Sequence, residues 1–335
     1  MKQRLLAGDI GGTKTDLALF DLVDARSPEL VCEATFASRD AAGLEPLVRD
    51  FLGESGDGIA AAAFGVAGPV IDGRIQTTNL PWRLEASALA AEIGCPLARL
   101  RLMNDLESTA FGALALPPDQ IHTLWDGHAR DGHRVVIAAG TGLGQAILFW
   151  DGHRFQPAAT EGGHVGFAPR DEREIGLLRF LQRRYGHVSW ERVVSGPGLL
   201  GIFEYLRLEL GARVSAELDE RMKLEDPSAV IGRAALEGNC ATCEQAVELF
   251  VSLYGSQAGN LALTCMALGG VYVGGGIVTQ LLPRFSTGTF MEAFRAKGRF
   301  TQLLDEVPVR IILDPKASLA GAAHVAAELA RGNAL

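Results

Sequence analysis

With 335 residues the chain is long for one hydrophobic core and comfortable for two lobes. Apolar residues make up 48% and charged residues 21%, which excludes a disordered chain, and a formal net charge of -9 without a basic stripe argues against a nucleic-acid partner. No signal peptide and no run of about 18 apolar residues is visible, so neither secretion nor a membrane span is expected. The cysteines, Cys32, Cys95, Cys240, Cys243 and Cys265, are scattered and odd in number, which fits reduced thiols in the cytoplasm.

In chain order, residues 5–21 read as a strand up to Asp9, a Gly-Gly turn, and a second strand after Lys14. Residues 58–70 read as a buried strand ending in a Gly-Pro turn. Residues 98–105 alternate apolar and polar side chains, as a strand with one solvated face does, and run into a helix over LESTAFGALAL. Strand, glycine turn and strand recur over 134–152. A loop carrying Glu161 and His164 follows, then a charged helix from about Asp171 to Arg184. Cys240 and Cys243 are a lone Cys-x-x-Cys without further ligands nearby, read as helix-end cysteines rather than a zinc site. Apolar positions at helical spacing over 244–268 lead to a short strand ending in Gly274-Gly275-Gly276, and 318–330 is an Ala-rich helix. The repeated unit implies an internal duplication. Residues 1–115 with the C-terminal helix, about 318–335, form a small α/β domain and 116–317 a large one, with a ligand held between them.

The chemistry sits at the turns. Without a Cβ at Gly11 and Gly12, backbone N–H groups can converge on phosphate oxygens, and Thr13 and Lys14 add a hydroxyl and a charge. A carboxylate at Asp9 beside bound phosphates calls for Mg²⁺ between them, so the turn points to a metal–nucleotide complex; a plain hairpin is the alternative. A Walker A loop fails at Thr13. Gly140, Thr141, Gly142 and Gly144 repeat the same logic for the rest of a triphosphate, and Gly274–Gly276 would let adenine or ribose lie against backbone. Gly196-Pro197-Gly198-Leu199-Leu200-Gly201 matches a dinucleotide fingerprint but lacks its βαβ setting, so a nicotinamide enzyme is rejected. Asn104-Asp105 ends a strand, where ligands of open α/β sheets bind; a helix N-cap is the competing role. Glu161, His164 and Glu191 add acceptors without a cationic clamp, a set suited to a neutral polyhydroxylated substrate, although Glu191 alone reads equally as a solvated charge.

GDIGGTKTDLALFD, the MND strand end, AAGTGLGQA, EGGHVGFAP, SWERVVSGPGL and VGGGIV, in this order, resemble the bacterial glucokinase family over roughly residues 5 to 325. The resemblance implies a two-domain ribonuclease-H-like fold of the actin/hexokinase type with an interdomain cleft, closing on glucose and Mg·ATP, and a homodimer. It carries the ATP-binding segment onto Gly8, Asp9, Ile10, Gly11, Gly12 and Thr13, with Gly140, Thr141, Gly142 and Gly275. It also makes Asp105 the catalytic base, Asn104, Asp105, Glu161, His164 and Glu191 the glucose ligands, and Asp9 the group facing Mg²⁺ through water. Leu106 stands where Phe is usual, and Lys14 where Asn also occurs. Kinases of mannose, fructose or glucosamine are the nearest alternatives. A sugar-sensing repressor would need a DNA-binding segment, for which a phosphate strand starting at residue 5 leaves no expected room. An actin-like ATPase would not need the sugar ligands.

Overall fold

The computed structural model describes residues 2–23, 28–53, 58–77 and 80–333. The chain divides into two compact units, 1–120 with 156–159 and 314–335, and 121–155 with 160–313.

The first unit is built on β1 (Lys2–Ile10), β2 (Lys14–Val23), β3 (Glu29–Ala37), β4 (Ile59–Val66) and β8 (Leu100–Asn104), ordered β3-β2-β1-β4-β8. Between β4 and β8 lies a small sheet of β5 (Val70–Ile71), β6 (Arg74–Gln76) and β7 (Arg83–Glu85). β1 and β4 are near-continuous apolar runs because helices cover both faces of the sheet. Leu6, Ile10, Ala62, Phe64, Leu100 and Leu102 face one core, shared with the helices Leu44–Leu52 and Ala86–Ile93. Leu5, Ala7, Ala61, Ala63 and Met103 face another, under the helices Asp105–Ala115 and Ala317–Arg331. The alternation in 98–105 therefore does not mark a solvated face: β8 is covered on both sides, and Arg101 turns to bond Glu107 at 2.8 Å. The two covering helices touch backbone to backbone. A Cβ on Gly112 would lie 1.9 Å from Ala317 O, and one on Gly321 1.8 Å from Ser108 O.

The second unit holds β9 (Ile121–Trp125), β10 (Arg134–Ala139), β11 (Leu143–Trp150), the ends of β12 (Phe155–Thr160), β13 (Gly270–Gly274) and β14 (Val309–Ile312). Its strands run in the order β11-β10-β13-β14-β9. The apolar spacing over 244–268 becomes the core helix Ala241–Cys265, whose Tyr254 hydroxyl lies 2.9 Å from Ile137 O and 3.0 Å from Gly274 O and so ties the helix to the sheet.

The duplication is visible in topology. β1 pairs β2 antiparallel and continues through β4 to β8 in parallel; β10 pairs β11 antiparallel and continues through β13 to β14 in parallel. Each series begins with a hairpin whose turn is rich in glycine.

Candidate active site

In the first unit the parallel strands bring their carboxyl ends into line. Ile10 is level with Val66, and Val66 with Asn104, so Asp9 and Asp105 both lie at the carboxyl end of these strands, the end where open α/β sheets commonly bind ligands. Asp9 stands directly across the hairpin from Asp16. The Ser318 hydroxyl donates to Asp9 Oδ1 at 2.9 Å, while Asp16 accepts from the Thr35 hydroxyl and pairs with Lys14 Nζ at 2.9 Å. Burial pushes the Asp9 carboxyl above its ordinary range; the Ser318 hydroxyl opposes this, the Asp16 charge adds to it and Lys14 opposes it. A carboxylate so placed lacks a full counter-charge, which is the environment a bound cation completes.

The first glycine turn is a hairpin as well as a candidate phosphate site. Gly11 N–H closes it by donating to Lys14 O at 2.9 Å, and the Ser38 hydroxyl donates to Gly11 O at 2.8 Å. Gly11 N–H is thereby engaged, so a phosphate cradle at this turn would have to use other amides, those of Gly12 and Thr13. Gly8 and Ile10 face inward: a Cβ on Gly8 would lie 2.5 Å from Phe64 Cδ1, and Ile10 is buried in the core. Lys14 is held by Asp16 rather than projecting alone.

Asn104 settles which residue caps the helix after β8. Its Oδ1 accepts Leu106 N–H at 2.9 Å and its Nδ2 donates to Gly68 O at 3.2 Å. Asp105, the first helical residue, is not needed as the cap, and its half-exposed carboxylate stands at the helix N-terminus with Oδ1 taking the same Leu106 N–H at 2.9 Å.

In the second unit three candidates converge on the second glycine turn. Glu191 Oε2 accepts Leu143 N–H at 3.0 Å; His164 Nδ1 lies 3.9 Å from Glu191 Oε1, and His164 Nε2 lies 3.8 Å from Glu161 Oε2. Glu191 is therefore fixed by backbone and is not a solvated surface charge. The glycines between Glu161 and His164 form one 3-10 turn, Gly162–His164. They supply close packing rather than flexibility: a Cβ on Gly163 would lie 2.0 Å from Leu143 O, and one on Gly162 2.4 Å from Gln145 Oε1.

On the same unit a cavity of ≈ 520 Å³ opens beside Gly140 and Thr141. Pro197, Leu200 and Ile277 give it apolar walls, and Asp226 and Ser228 a polar edge. Gly276 rather than Gly275 lines it. Gly275 has φ +96, and a Cβ there would meet Ala139 O at 2.1 Å, so its work is to let β13 turn against β10. The segment dismissed as a false dinucleotide fingerprint reaches this cavity too. Gly196 N–H donates to Gly140 O at 2.8 Å, and Ser195 caps the helix Gly196–Leu208 beginning there. Sequence reasoning missed this wall and Ser318 beside Asp9 because each acts through a contact distant in sequence, and it passed over Asp16 although that residue lies across the same hairpin.

Two sheets of one topology, each led by a glycine-turn hairpin and bearing acidic residues at the turns and strand ends, define the α/β fold of the actin/hexokinase-type ATPases. The glucokinase family pattern is matched over residues 6–329, and the chain belongs to the glucokinase family. The glucokinase of Trichormus variabilis is 39% identical over 341 residues, covering 97% of this chain and 99% of that one. The crystal structure of a glucokinase from an Antarctic psychrotroph superposes with a TM-score of 0.83 at 30% identity, covering 96% of this chain and 98% of that one. A Balamuthia mandrillaris glucokinase solved with glucose shares the fold at a TM-score of 0.77 and 23% identity, over 97% of this chain and 94% of that one.

Proposed function

We propose that this protein transfers the γ-phosphoryl group of ATP to the 6-hydroxyl of glucose, giving glucose 6-phosphate and ADP. The observation that carries the reading is the attachment of Glu191 to Leu143 N–H with His164 and Glu161 beside it, which joins a hydroxyl-binding acceptor set to the second glycine turn. Asn104, Glu161, His164 and Glu191 hold sugar hydroxyls, a pairing that discriminates strongly against analogues lacking them. Asp105 accepts the proton of the 6-hydroxyl as that oxygen attacks phosphorus and the bond to ADP breaks, a contribution of about 10² to 10⁴ in rate. Thr141 and the amides of Gly12 and Thr13 receive phosphates, and the cavity walled by Pro197, Leu200 and Ile277 takes the base.

Asp9, half-buried opposite Asp16 and fixed by Ser318, would hold Mg²⁺ through its water shell. When bound, that ion neutralises phosphate charge. Among the described residues no group of three His, Cys, Asp or Glu side chains is arranged for a metal. We further propose that the two units act as the small and large domains of a cytoplasmic, homodimeric enzyme feeding glycolysis. The family resemblance supports this, and among the described residues no helix is long and apolar enough to cross a membrane.

The test is ADP release from Mg·ATP with glucose, mannose, fructose, glucosamine and N-acetylmannosamine. Turnover strongly favouring glucose is expected. Preference for another sugar would overturn the substrate while keeping the chemistry, and sugar-independent ATP hydrolysis would overturn the kinase reading itself.

A further inference from the structure

The Cys-x-x-Cys pair does not line the cavity beside Gly140 and has a geometry of its own. Cys240 is the N-cap of the 25-residue helix Ala241–Cys265, and Cys243 N–H donates to Cys240 Sγ at 3.4 Å. That bond folds the Cys240 sulfur over the first helical turn, towards the side chain three residues on. Cys243 is fully buried; Cys240 is half-buried and opens on a cavity of ≈ 380 Å³ lined also by Arg213, Arg221, Glu217 and Asn239. One sulfur can be reached from solvent and the other only from its neighbour.

We propose that Cys240 and Cys243 are a reversible redox pair, in which Cys240 reacts with hydrogen peroxide and Cys243 resolves the product as a disulfide. Cys240 is the partly exposed member of a Cys-x-x-Cys pair at a helix N-terminus, and the cavity lined by Arg213 and Arg221 gives the oxidant access to its sulfur. Cys240 sulfur attacks one peroxide oxygen; the O–O bond breaks, water leaves and a sulfenic acid remains. Cys243 sulfur then attacks Cys240 sulfur, the S–S bond forms, the S–O bond breaks and a second water leaves. Two thiols are thus oxidised by two electrons while one peroxide is reduced to two waters. Burial pushes the Cys243 thiol up, and the adjacent Cys240 side chain adds to that, which suits it to the second step rather than the first. Side chains three apart on a helix have Cβ atoms roughly 5–6 Å apart, and a disulfide needs about 3.5–4.5 Å. Cys240 takes up the difference because its backbone is extended, at φ -144, and lies outside the helical turn.

The experiment treats the full-length protein with equimolar hydrogen peroxide, alkylates the remaining thiols in denaturant and cleaves at glutamate. Cleavage after Glu237 and Glu244 releases residues 238–244, which contain these two cysteines and no other. The expected fragment is unalkylated and lighter by two hydrogens, and dithiothreitol before alkylation restores both thiols. A doubly alkylated fragment, or Cys240 sulfinic acid beside alkylated Cys243, would overturn the proposal. Cys240→Ser retains an N-cap acceptor and is expected to leave Cys243 a thiol at the same dose. Equal oxidation of Cys243 in that variant would also overturn it, by placing the reactivity at the buried sulfur.

Discussion

Glu191 Oε2 accepts Leu143 N–H at 3.0 Å and lies 2.6 Å from the point where Gly142 would carry a Cβ. The glycine turn and the acidic side chain thus occupy one another's space, and the sequence Gly140-Thr141-Gly142 serves Glu191 as much as any phosphate. Gly142→Ala should push aside the end of a flexible side chain, which costs little stability. The expected result is an unchanged Tm and a KM for glucose raised about tenfold, equivalent to about 1.4 kcal/mol. An unchanged glucose KM would remove Glu191 from the sugar site.

Gly163→Ala is a harsher change at the same place, because the obstructing atom is Leu143 O, 2.0 Å away on the backbone. Overpacking of this kind costs about 1–3 kcal/mol. Thermal unfolding should therefore show a Tm several degrees lower for Gly163→Ala than for Gly142→Ala. Equal Tm values would mean that the Glu161–His164 turn moves freely.

Gly275 and Gly276, though adjacent, stand in different surroundings. A Cβ on Gly276 meets nothing within 4 Å and that residue lines the cavity, whereas Gly275 has φ +96 and abuts Ala139 O. Gly276→Val should raise the KM for ATP about tenfold with the fold intact. Gly275→Val should yield little folded protein. Full affinity for ATP in Gly276→Val would place the base elsewhere.

The contrast between these positions marks what the sequence can carry. Strand, glycine turn and strand are local patterns, so β1–β2 and β10–β11 and the helix Ala241–Cys265 were legible from periodicity and turn residues. The competition between cap and base at Asn104-Asp105 was not, because it turns on Asn104 bonding both Leu106 N–H and Gly68 O, the second 36 residues earlier. Likewise nothing near Gly8 reveals that Phe64 fills the space where its side chain would be. Spacing names the residues that can do chemistry. Which of their atoms are already engaged depends on contacts that only the folded chain makes.

Asp105 stands at a helix N-terminus whose cap is supplied by Asn104, so the helix stays capped when Asp105 is replaced. Asp105→Ala should fold, giving up about 1 kcal/mol with the Leu106 N–H bond and the helix-dipole contact, and lose about 10² to 10⁴ in kcat. Near-normal kcat would exclude it as the base.

Asp9 offers a test whose sign depends on pH. Burial and the Asp16 charge raise its carboxyl in the folded chain above the ordinary value of 3.8, against the opposing Ser318 hydroxyl and Lys14. A raised acid binds its proton more tightly when folded than when unfolded, so the stability that Asp9 contributes is greatest below pH 3.8 and falls as pH rises through the folded value. At neutral pH the ligand-free protein therefore carries the cost of an ionised, partly desolvated carboxylate. Asp9→Asn removes that charge and keeps an oxygen to accept from Ser318, whose donor lies 2.9 Å from Oδ1. Its Tm should exceed the parent's at pH 8, and the difference should shrink as the pH is lowered towards the acid range. Turnover should fall at the same time if Asp9 is the group that faces Mg²⁺, as proposed above. A variant less stable than the parent at pH 8 would show that the ionised bond from Ser318 outweighs desolvation, and would reverse the assignment of Asp9 as a carboxylate waiting for a cation.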